Sequence, residues 1–411
     1  MKRLLSMILV TMMLLGLSVI PSIAEEQVTL NVFYWDTSFQ DAMQELAESF
    51  TAQHPNIQIE MTQMPFAQYW TKLQTTLTTD SAPDVFWMNY NYATAFIPDK
   101  LLLDITQDVM DPSKFPDTCV EMFVEDGNIY GVPFLYDTIA MFYNKQLFDA
   151  AGVPYPTSDW TWDDLRDAAK KLTIKDDQGN VTQYGFIMDL AAQAGMFNFL
   201  LQNGVTVFEE DRVATNFECE EAYEAFQLIY DMMYVDGTVP TAADLSELAK
   251  DDRFMAFQGA MVYAVPPRVA RYTEAMGEGV LDVVELPAGT MEGCTLNTCA
   301  FSASAKTAHP EEAKLFLSYV ASYEGQSILS QAGLVPYEDC WKLWAEQFPE
   351  MNLEAFINQI DTATIIPTSA YNPAETRKIL ETAFANIFSQ SVGIQEGLAQ
   401  AADEIAQVME K

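Results

Sequence analysis

The chain has 411 residues, of which 49% are hydrophobic and 12% aromatic, and its 59 acidic residues outweigh 21 basic ones to give a net charge of −38. This length exceeds the size at which one hydrophobic core stops growing, so we expect a globular protein with two domains. Such an acidic surface repels phosphate backbones and anionic headgroups, which argues against nucleic acid and against stable membrane insertion.

The chain begins with a pattern typical of an export signal. Lys2 and Arg3 precede the uncharged apolar run 4–19, and a small-x-small pattern ends at Ala24. We expect residues 1–24 to be a signal peptide that is cleaved after Ala24, because the run is shorter than the roughly 20 residues of a membrane anchor. The first cysteine is Cys119, so no lipobox is present and the expected location is periplasmic, secreted or associated with the cell surface.

Strands and helices are predicted to alternate in the first part of the mature chain. Residues 28–35 are rich in strand formers, and a helical pattern follows that ends at His54. Residues 57–61 alternate as a strand does, and a helix through Tyr69 leads to a third strand at 85–87. The order β-α-β-α-β predicts a mostly parallel sheet with helices on both faces.

Long helices dominate the rest of the chain. The pattern predicts helices over 158–172, with Thr161 as the N-cap, over 220–234 and over 310–330. No repeat or low-complexity linker separates the two halves, so we expect the chain to pass between two lobes several times through extended segments.

The five cysteines are irregularly spaced and do not form a disulfide framework. If residues 294–301 form a strand, Cys294 and Cys299 lie about 16 Å apart and face opposite sides. A disulfide requires Cα atoms within about 7 Å, so we expect buried free thiols.

Common catalytic signatures are missing from the sequence. It contains no G-x-S-x-G, H-E-x-x-H, Walker A or G-x-G-x-x-G motif. His54 and His309 each precede a proline at a helix edge, where a turn residue is expected, so we expect no metal, no cofactor and no enzyme. A glycosidase carboxylate pair is defined by its separation in space, so a secreted glycan-acting enzyme, a lyase or a glycosidase, stays the alternative.

Aromatic residues stand beside polar ones at the ends of predicted strands. These clusters are Tyr34-Trp35-Asp36, Trp87-Met88-Asn89-Tyr90 and Tyr136-Asp137. Ligands of open α/β sheets bind at the carboxyl ends of strands. Flat aromatic rings suit the CH faces of sugars, and carboxylates and amides suit their hydroxyls. The clusters therefore predict a sugar site, against the alternative that each aromatic residue belongs to the core.

Several short stretches, in this order and spacing, make the chain similar to the extracellular solute-binding proteins, family 1, of ATP-driven sugar importers, the group that includes maltose-binding protein. These stretches are Pro83 to Trp87, Leu101 to Thr106, Tyr130 to Phe148, Trp160 to Leu165, Gly259 to Met261, His309 to Lys314 and Gly333 to Pro336. The resemblance implies an α/β, two-lobed periplasmic-binding-protein-like (type II) fold, with mixed sheets flanked by helices and three hinge crossings. Residues 25–133 and 299–334 are expected in the N-terminal lobe, and 134–298 and 335–411 in the C-terminal lobe.

The resemblance also implies a function and a site. We expect a monomer that captures a sugar or short oligosaccharide between its lobes and delivers it to the transmembrane subunits of an ABC permease; a polyamine, a peptide or an organic cation is the alternative cargo. Where many relatives carry a tryptophan, this chain has Arg268, and three alternatives stay open for it: a pair with Asp137, a pair with an acidic sugar, or a plain surface arginine. The predicted ligand-binding residues are Tyr34, Trp35, Asp36, Trp87, Asn89, Tyr90, Tyr136, Asp137, Arg268, Asn297 and Tyr371.

Overall fold

The computed structural model describes residues 27–79, 81–107, 109–190, 193–209, 212–369 and 371–409. The predicted signal peptide and its cleavage site lie outside the described residues. No helix in these described ranges is both long enough and apolar enough to span a membrane.

The strands in chain order are β1 (Val28–Tyr34), β2 (Ile57–Gln63), β3 (Val85–Asn89), β4 (Val124–Glu125), β5 (Asn128–Ile129), β6 (Val132–Asp137), β7 (Ala140–Asn144), β8 (Ile174–Lys175), β9 (Val181–Ile187), β10 (Gly259–Ala264), β11 (Leu281–Val284), β12 (Cys294–Ala303) and β13 (Ala363–Ile365).

The α-helices in chain order are α1 (Gln40–Gln53), α2 (Phe66–Thr76), α3 (Tyr90–Phe96), α4 (Asp117–Glu121), α5 (Lys145–Ala151), α6 (Trp162–Leu172), α7 (Met196–Gln202), α8 (Glu220–Tyr234), α9 (Ala242–Glu247), α10 (Lys250–Met255), α11 (Arg268–Met276), α12 (Pro310–Ala321), α13 (Tyr323–Leu329), α14 (Trp341–Ala345), α15 (Glu354–Ile357), α16 (Pro373–Phe388) and α17 (Ile394–Met409).

Within the described residues, one six-stranded sheet has the order β13-β12-β3-β1-β2, with β6 paired to β12 as well. β1 runs parallel to β2 and β3, with Val28 opposite Ile57 and Val32 opposite Val85. This arrangement confirms the predicted parallel β-α-β-α-β start. β12 runs antiparallel to both β3 and β6, so a strand from much later in the chain completes the first sheet.

A second sheet of five strands has the order β11-β7-β10-β9-β8 among the residues described. β7 runs antiparallel to β10 and β11, whereas β10 runs parallel to β9, so this sheet is mixed. The chain leaves the first sheet at Asp137, the last residue of β6, and enters the second at Ala140, the first residue of β7. The expected crossing from one sheet to the other therefore occupies Thr138 and Ile139.

Buried apolar side chains of the described residues form two clusters. One contains Leu30, Phe50 and Trp87 around the first sheet. The other contains Phe148 and Phe226 and includes side chains of α5, α6, α8, α16 and α17. Two cores are what a chain of this length requires, because a single core does not grow to this size.

The helix predicted over 310–330 is wrong in one respect, because the structure divides it into α12 and α13. Ser322 is extended, with φ −75° and ψ 160°, and its Oγ accepts a hydrogen bond from the Gly325 N–H at 3.1 Å. A serine in this position competes with the helix by capping a new one. At Gly325 an added Cβ would lie 2.3 Å from the Tyr319 carbonyl oxygen, so the two helices meet at a residue that must lack a side chain.

β12 confirms the strand predicted for Cys294 and Cys299, and the five cysteines are free. Cys119, Cys294, Cys299 and Cys340 are buried, as expected. Cys219 is the exception because it is only half-buried.

Thr161 caps α6 as predicted. The Thr161 N–H donates to Asp164 Oδ2 at 2.9 Å, and the Asp164 N–H donates to Thr161 Oγ1 at 3.4 Å, which makes a capping box. We expect Thr161→Ala to lower the free energy of unfolding by about 1 kcal/mol, measured from the midpoint of urea unfolding. Ser158→Ala, at an exposed position before the helix, should leave the midpoint unchanged. Equal losses in both variants would contradict the capping role.

Candidate functional site

A cavity of about 950 Å³ opens between the helices that follow β2 and β3 and the N-terminal half of α16. α3 continues directly from β3 of the first sheet, and α16 contributes Leu380, Phe384 and Phe388 to the second buried cluster. α3 also contacts α16 directly. The cavity is therefore bounded by elements that belong to the two different cores.

One wall of the cavity is aromatic. Phe66 at the start of α2 and Tyr92 and Phe96 of α3 line it. Trp70 stacks on Tyr92 with ring centroids 3.6 Å apart and an interplanar angle of 5°. Trp35 lies behind Phe66, with ring centroids 5.6 Å apart and an edge-on angle of 85°. These ring contacts hold the wall rigid, because the rings that line the cavity pack on further rings behind them.

The opposite wall is polar. Its polar groups belong to Thr368, Ser369 and residues at the start of α16, namely Asn372, Glu375, Thr376, Arg377, Lys378 and Glu381, and the same segment also contributes the apolar residues Ile366, Pro367, Pro373, Ala374 and Leu380. Arg377 Nε donates to Glu381 Oε1 at 2.9 Å, one turn along the helix. Burial raises the pKa of the Tyr92 hydroxyl, Arg377 opposes this rise and Glu381 adds to it. The charges of α16 therefore lie close enough to act on the aromatic wall.

The floor of the cavity lies at the ends of strands of the first sheet. Asn89 ends β3, and Asn297 of β12 stands opposite Asp137, the last residue of β6. Asn89 and Asn297 line the cavity together with Gln193, whose Nε2 donates to the Asp137 carbonyl oxygen at 2.7 Å. Asp137 itself lies immediately behind this floor.

Asp137 and Asn297 carry unsatisfied polar atoms. Their side chains are buried, at 7% and 6% exposure, and neither Asp137 Oδ1 nor Asn297 Oδ1 has a hydrogen-bond partner in the part of the chain described. Burial raises the pKa of the Asp137 carboxyl to about 8, while the nearby Arg268 guanidinium opposes the rise and Asp36 adds to it. Buried polar groups nearly always have partners, so two unsatisfied oxygens on paired strands make this place a candidate for ligand binding.

Most of the predicted aromatic site residues are not brought to the cavity. Trp87 is 1% exposed and packs against Tyr34, Phe39 and Phe134 at centroid distances of 5.5, 5.2 and 4.5 Å. The Tyr136 hydroxyl lies 3.2 Å from Thr118 Oγ1 in the interior. Of the predicted residues, the structure brings Asn89, Asn297 and Tyr371 together around the cavity.

Of the alternatives for Arg268, the ion pair with Asp137 is not formed. Arg268 Nε instead contacts Asp251 Oδ2 at 2.7 Å, and Tyr272 also donates its hydroxyl hydrogen to Asp251, at 2.6 Å. Asp251 and Arg268 belong to the adjacent helices α10 and α11, so a partner within the same core is closer than one across the crossing. The charge of Arg268 therefore lowers the pKa of Asp137 from a distance, without an ion pair between the two side chains.

The two remaining predicted residues make hydrogen bonds outside the cavity, one of them local and one to a distant part of the chain. Asp36 Oδ1 accepts the Ser38 N–H at 2.9 Å and so caps the short helix Thr37–Phe39. The Tyr90 hydroxyl accepts a hydrogen bond from Arg212 Nη1 at 3.1 Å. Neither residue is among those that line the cavity.

The sequence interpretation missed Phe66, Tyr92, Gln193 and the polar residues of α16. Phe66 lies just beyond the end of β2, so the strand-end rule that gave Asn89 could also have found it. Residues 366–369, which lead into α16, line the cavity directly after the short strand β13. Nothing in the spacing of the α16 residues themselves indicates that they face a cavity. Among the residues that the structure describes, no group of three His, Cys, Asp or Glu side chains could hold a metal ion.

Known proteins with similar sequences cover most of the chain. An arabinooligosaccharide-binding protein of Halalkalibacterium halodurans is 23% identical over 408 residues, which is 91% of this chain and 88% of that protein. A lactose-binding protein of Rhizobium radiobacter is 24% identical over 376 residues, which is 81% of this chain and 86% of that protein.

Solved structures share the fold. An ABC substrate-binding protein of Listeria monocytogenes in complex with cycloalternan matches with a TM-score of 0.86 at 24% identity, covering 94% of this chain and all of that one. Maltose-bound MalE3 of T. maritima matches with a TM-score of 0.79 at 20% identity, covering 92% of this chain and 99% of that one. The predicted α/β fold of the periplasmic-binding-protein type is confirmed.

A family model shows which family the chain belongs to. The model of the family described as bacterial extracellular solute-binding protein matches residues 36–327, which include all of the first sheet except β1 and the short edge strand β13. Proteins of this family are exported and bind solutes outside the cytoplasm. The chain belongs to the bacterial extracellular solute-binding proteins.

Proposed function

We propose that the protein captures a sugar or short oligosaccharide in the cavity between α3 and α16 and delivers it to the transmembrane subunits of an ABC permease. The observation that carries this proposal is the composition of the two walls. Aromatic rings of α2 and α3 form one wall, and amide, hydroxyl and charged groups of α16 form the other. A sugar ring has an apolar CH face and a rim of hydroxyls, so it matches both walls at once.

The floor supports the same ligand. Asp137 Oδ1 and Asn297 Oδ1 are buried without partners, and they lie beside Asn89 and Gln193, which line the cavity. A sugar hydroxyl both donates and accepts hydrogen bonds, so it can satisfy acceptors of this kind. A carboxyl with a raised pKa, as at Asp137, can itself donate to a hydroxyl oxygen.

The names of similar proteins agree with a carbohydrate ligand. The relatives from Halalkalibacterium halodurans and Rhizobium radiobacter are named for binding arabinooligosaccharide and lactose, and the structure from Listeria monocytogenes holds cycloalternan. We propose that this chain acts in the same way, as an exported monomer without catalytic activity, whose signal peptide is cleaved after Ala24.

The proposed lobes are residues 25–133 with 299–334, and 134–298 with 335–411. Side chains on both sides hold the first crossing between them. Gln326 Nε2 donates to the Pro133 carbonyl at 3.1 Å, and Gln359 Nε2 donates to the Ile139 carbonyl at 2.8 Å. Because the segment is fixed on both sides, rotation of one lobe on the other would be absorbed at Thr138 and Ile139, between the two sheets, as in a hinge.

A thermal-shift screen tests the proposal. The mature chain would be heated with monosaccharides, oligosaccharides, uronic acids, polyamines and peptides. A ligand at one hundred times its dissociation constant adds about 2.7 kcal/mol to the free energy of unfolding, which raises the Tm of a chain this long by a few degrees. We expect a shift with a carbohydrate. A shift confined to polyamines or peptides would contradict a sugar as the ligand, but it would agree with a solute-binding fold.

The enzyme alternative has a separate test. A polysaccharide or oligosaccharide incubated with the protein should be recovered unaltered if the protein only binds it. Release of shorter or unsaturated products, absent with a boiled sample, would contradict the proposal and favour a glycosidase or lyase.

A further inference from the structure

We propose that Gln193 is a positioning residue that connects the two segments in which the chain crosses between the sheets, and that this connection sets the affinity for the ligand. The inference rests on the proposed function. It gives Gln193, which lines the cavity, a second role beyond contact with a sugar.

Two segments carry the chain between the sheets beside Gln193. The first crossing begins at Asp137, where β6 of the first sheet ends, and leads to β7 of the second sheet. The return crossing is the start of β12, which follows β11 of the second sheet. Here Cys294 packs in the second buried cluster and Leu296 in the first. A rotation of one sheet relative to the other therefore changes the geometry of both segments.

Gln193 forms hydrogen bonds to both crossings at once. Its Nε2 donates to the Asp137 carbonyl oxygen at 2.7 Å, and its backbone carbonyl oxygen accepts from Thr295 Oγ1 of β12 at 2.9 Å. Gln193 lies between β9 of the second sheet and α7, whereas Asp137 ends a strand of the first sheet. The bond to Asp137 therefore joins parts of the chain that a hinge rotation would move relative to one another.

A buried asparagine fixes the backbone of Gln193 in this position. Asn198 Nδ2 donates to the Gln193 carbonyl oxygen at 2.6 Å, and Asn198 Oδ1 accepts the Thr295 N–H at 2.8 Å. Asn198 and Thr295 are both 0% exposed, so these bonds lie in the low-dielectric interior, where hydrogen bonds are strong. Neither residue lines the cavity. The return crossing is thus bonded to Gln193 through groups that a ligand does not contact.

The side chain of Gln193 connects this network to the ligand. Because Nε2 is used on the Asp137 carbonyl, Oε1 is left to accept a hydrogen bond from a sugar hydroxyl in the cavity. A hydroxyl bound at Oε1 holds the amide in the orientation in which Nε2 meets Asp137. The ligand and the bond to Asp137 therefore favour the same arrangement of the crossings, and a ligand shifts a conformational equilibrium by such a difference in affinity.

Three variants separate this role from simple contact with the ligand. Gln193→Glu at pH 8 carries an ionised carboxylate, which keeps an acceptor for the ligand but cannot donate to the Asp137 carbonyl. Gln193→Met removes both the donor and the acceptor without adding a charge. Thr295→Val keeps the shape of the side chain and removes the hydroxyl donor at a residue that does not line the cavity.

Two measurements would be made on each variant at pH 8. Small-angle X-ray scattering gives the radius of gyration of the free protein, and calorimetric titration gives the dissociation constant for the carbohydrate with the largest thermal shift. We expect both Gln193 variants to have a larger radius of gyration than the wild type and a dissociation constant about tenfold higher, as loss of one hydrogen bond between the sheets would produce. Thr295→Val should change both quantities in the same direction, with a dissociation constant about threefold higher.

Gln183→Glu is the matched control. Gln183 Nε2 also donates to a backbone carbonyl oxygen, that of Leu172 at 2.6 Å, but this bond joins β9 to the end of α6 and neither residue lines the cavity. Gln183→Glu should leave the radius of gyration and the dissociation constant unchanged, even where it lowers the Tm.

Wild-type values of both quantities in Gln193→Glu and Thr295→Val would overturn the inference. If Gln193→Met alone bound more weakly, Gln193 would be a ligand contact without the positioning role, and the proposed function would stand. Failure of every carbohydrate to bind the wild type would contradict the proposed function. The radius of gyration of the free variants would then still decide whether Gln193 connects the crossings, because that measurement needs no ligand.

Discussion

Replacing Trp87 with alanine should lower the free energy of unfolding by about 3–5 kcal/mol, the loss typical of a large aromatic residue in a core. Trp87 is 1% exposed and its ring contacts Tyr34, Trp35, Phe39 and Phe134. The cavity left by the indole would lie between β1, β3 and β6, where the surrounding strands cannot collapse to fill it. The change would be measured as the shift in the urea midpoint with an unchanged m-value.

Trp35→Ala is the matched control for this variant. Trp35 belongs to the same ring cluster but is only half-buried, so its loss should cost less. A Trp87→Ala protein with the wild-type midpoint and no sugar binding would show that Trp87 is a ligand platform, as the strand-end pattern first predicted.

Asp137→Asn should remove a pH dependence that the wild type shows between pH 5 and pH 8. Burial raises the pKa of Asp137 to about 8 in the folded protein, whereas an unfolded Asp titrates near about 3.9. Between these values the folded state holds one proton more than the unfolded state, so this group makes stability fall as pH rises, by at most about 1.4 kcal/mol per pH unit. The contribution of Asp137 to the free energy of unfolding is largest below pH 4 and is lost by pH 8.

The variant isolates this group from the other carboxylates. The difference in unfolding free energy between Asp137→Asn and the wild type should grow in favour of the variant from pH 5 to pH 8. Asp236→Asn is the control of opposite sign, because Arg166 and Lys170 outweigh burial and lower the pKa of Asp236. Asp236→Asn should destabilise the protein throughout that range. A constant difference between Asp137→Asn and the wild type would contradict the raised pKa.

The parallel start of the fold and its helix caps could be predicted because they depend on local patterns. Residues 28–87 carry strand and helix periods in sequence, and Thr161 is followed three residues later by Asp164, which is enough to define a capping box. The break at Ser322 could not be predicted in this way, because apolar residues continue at helical spacing past that point. Ser322 caps a new helix there, and the lack of a side chain at Gly325 permits the close approach of the Tyr319 carbonyl, which only the fold reveals.

The residues of the candidate site could likewise be predicted only where a local pattern indicates them. The strand-end rule selected both Asn89, which lines the cavity, and Trp87, which does not, because every residue of β3 is buried and alternation gives no exposed face. The partner of Arg268 could not be predicted, because the packing of α10 and α11 is what brings Asp251 beside it. The polar wall of α16 comes from a distant part of the chain, and tertiary structure alone brings it opposite α3.

The central claim is that a carbohydrate binds between the floor asparagines and the two walls. The most direct measurement is calorimetric titration of the wild type and of the double variant Asn89→Ala, Asn297→Ala with the carbohydrate that gives the largest thermal shift. We predict one site per chain in the wild type, recovery of the sugar unaltered, and at least about thirtyfold weaker binding by the double variant at a comparable Tm, since loss of two buried hydrogen-bonding groups costs about 1–3 kcal/mol each. Equal affinity in the two proteins would show that the sugar binds elsewhere and would contradict the account.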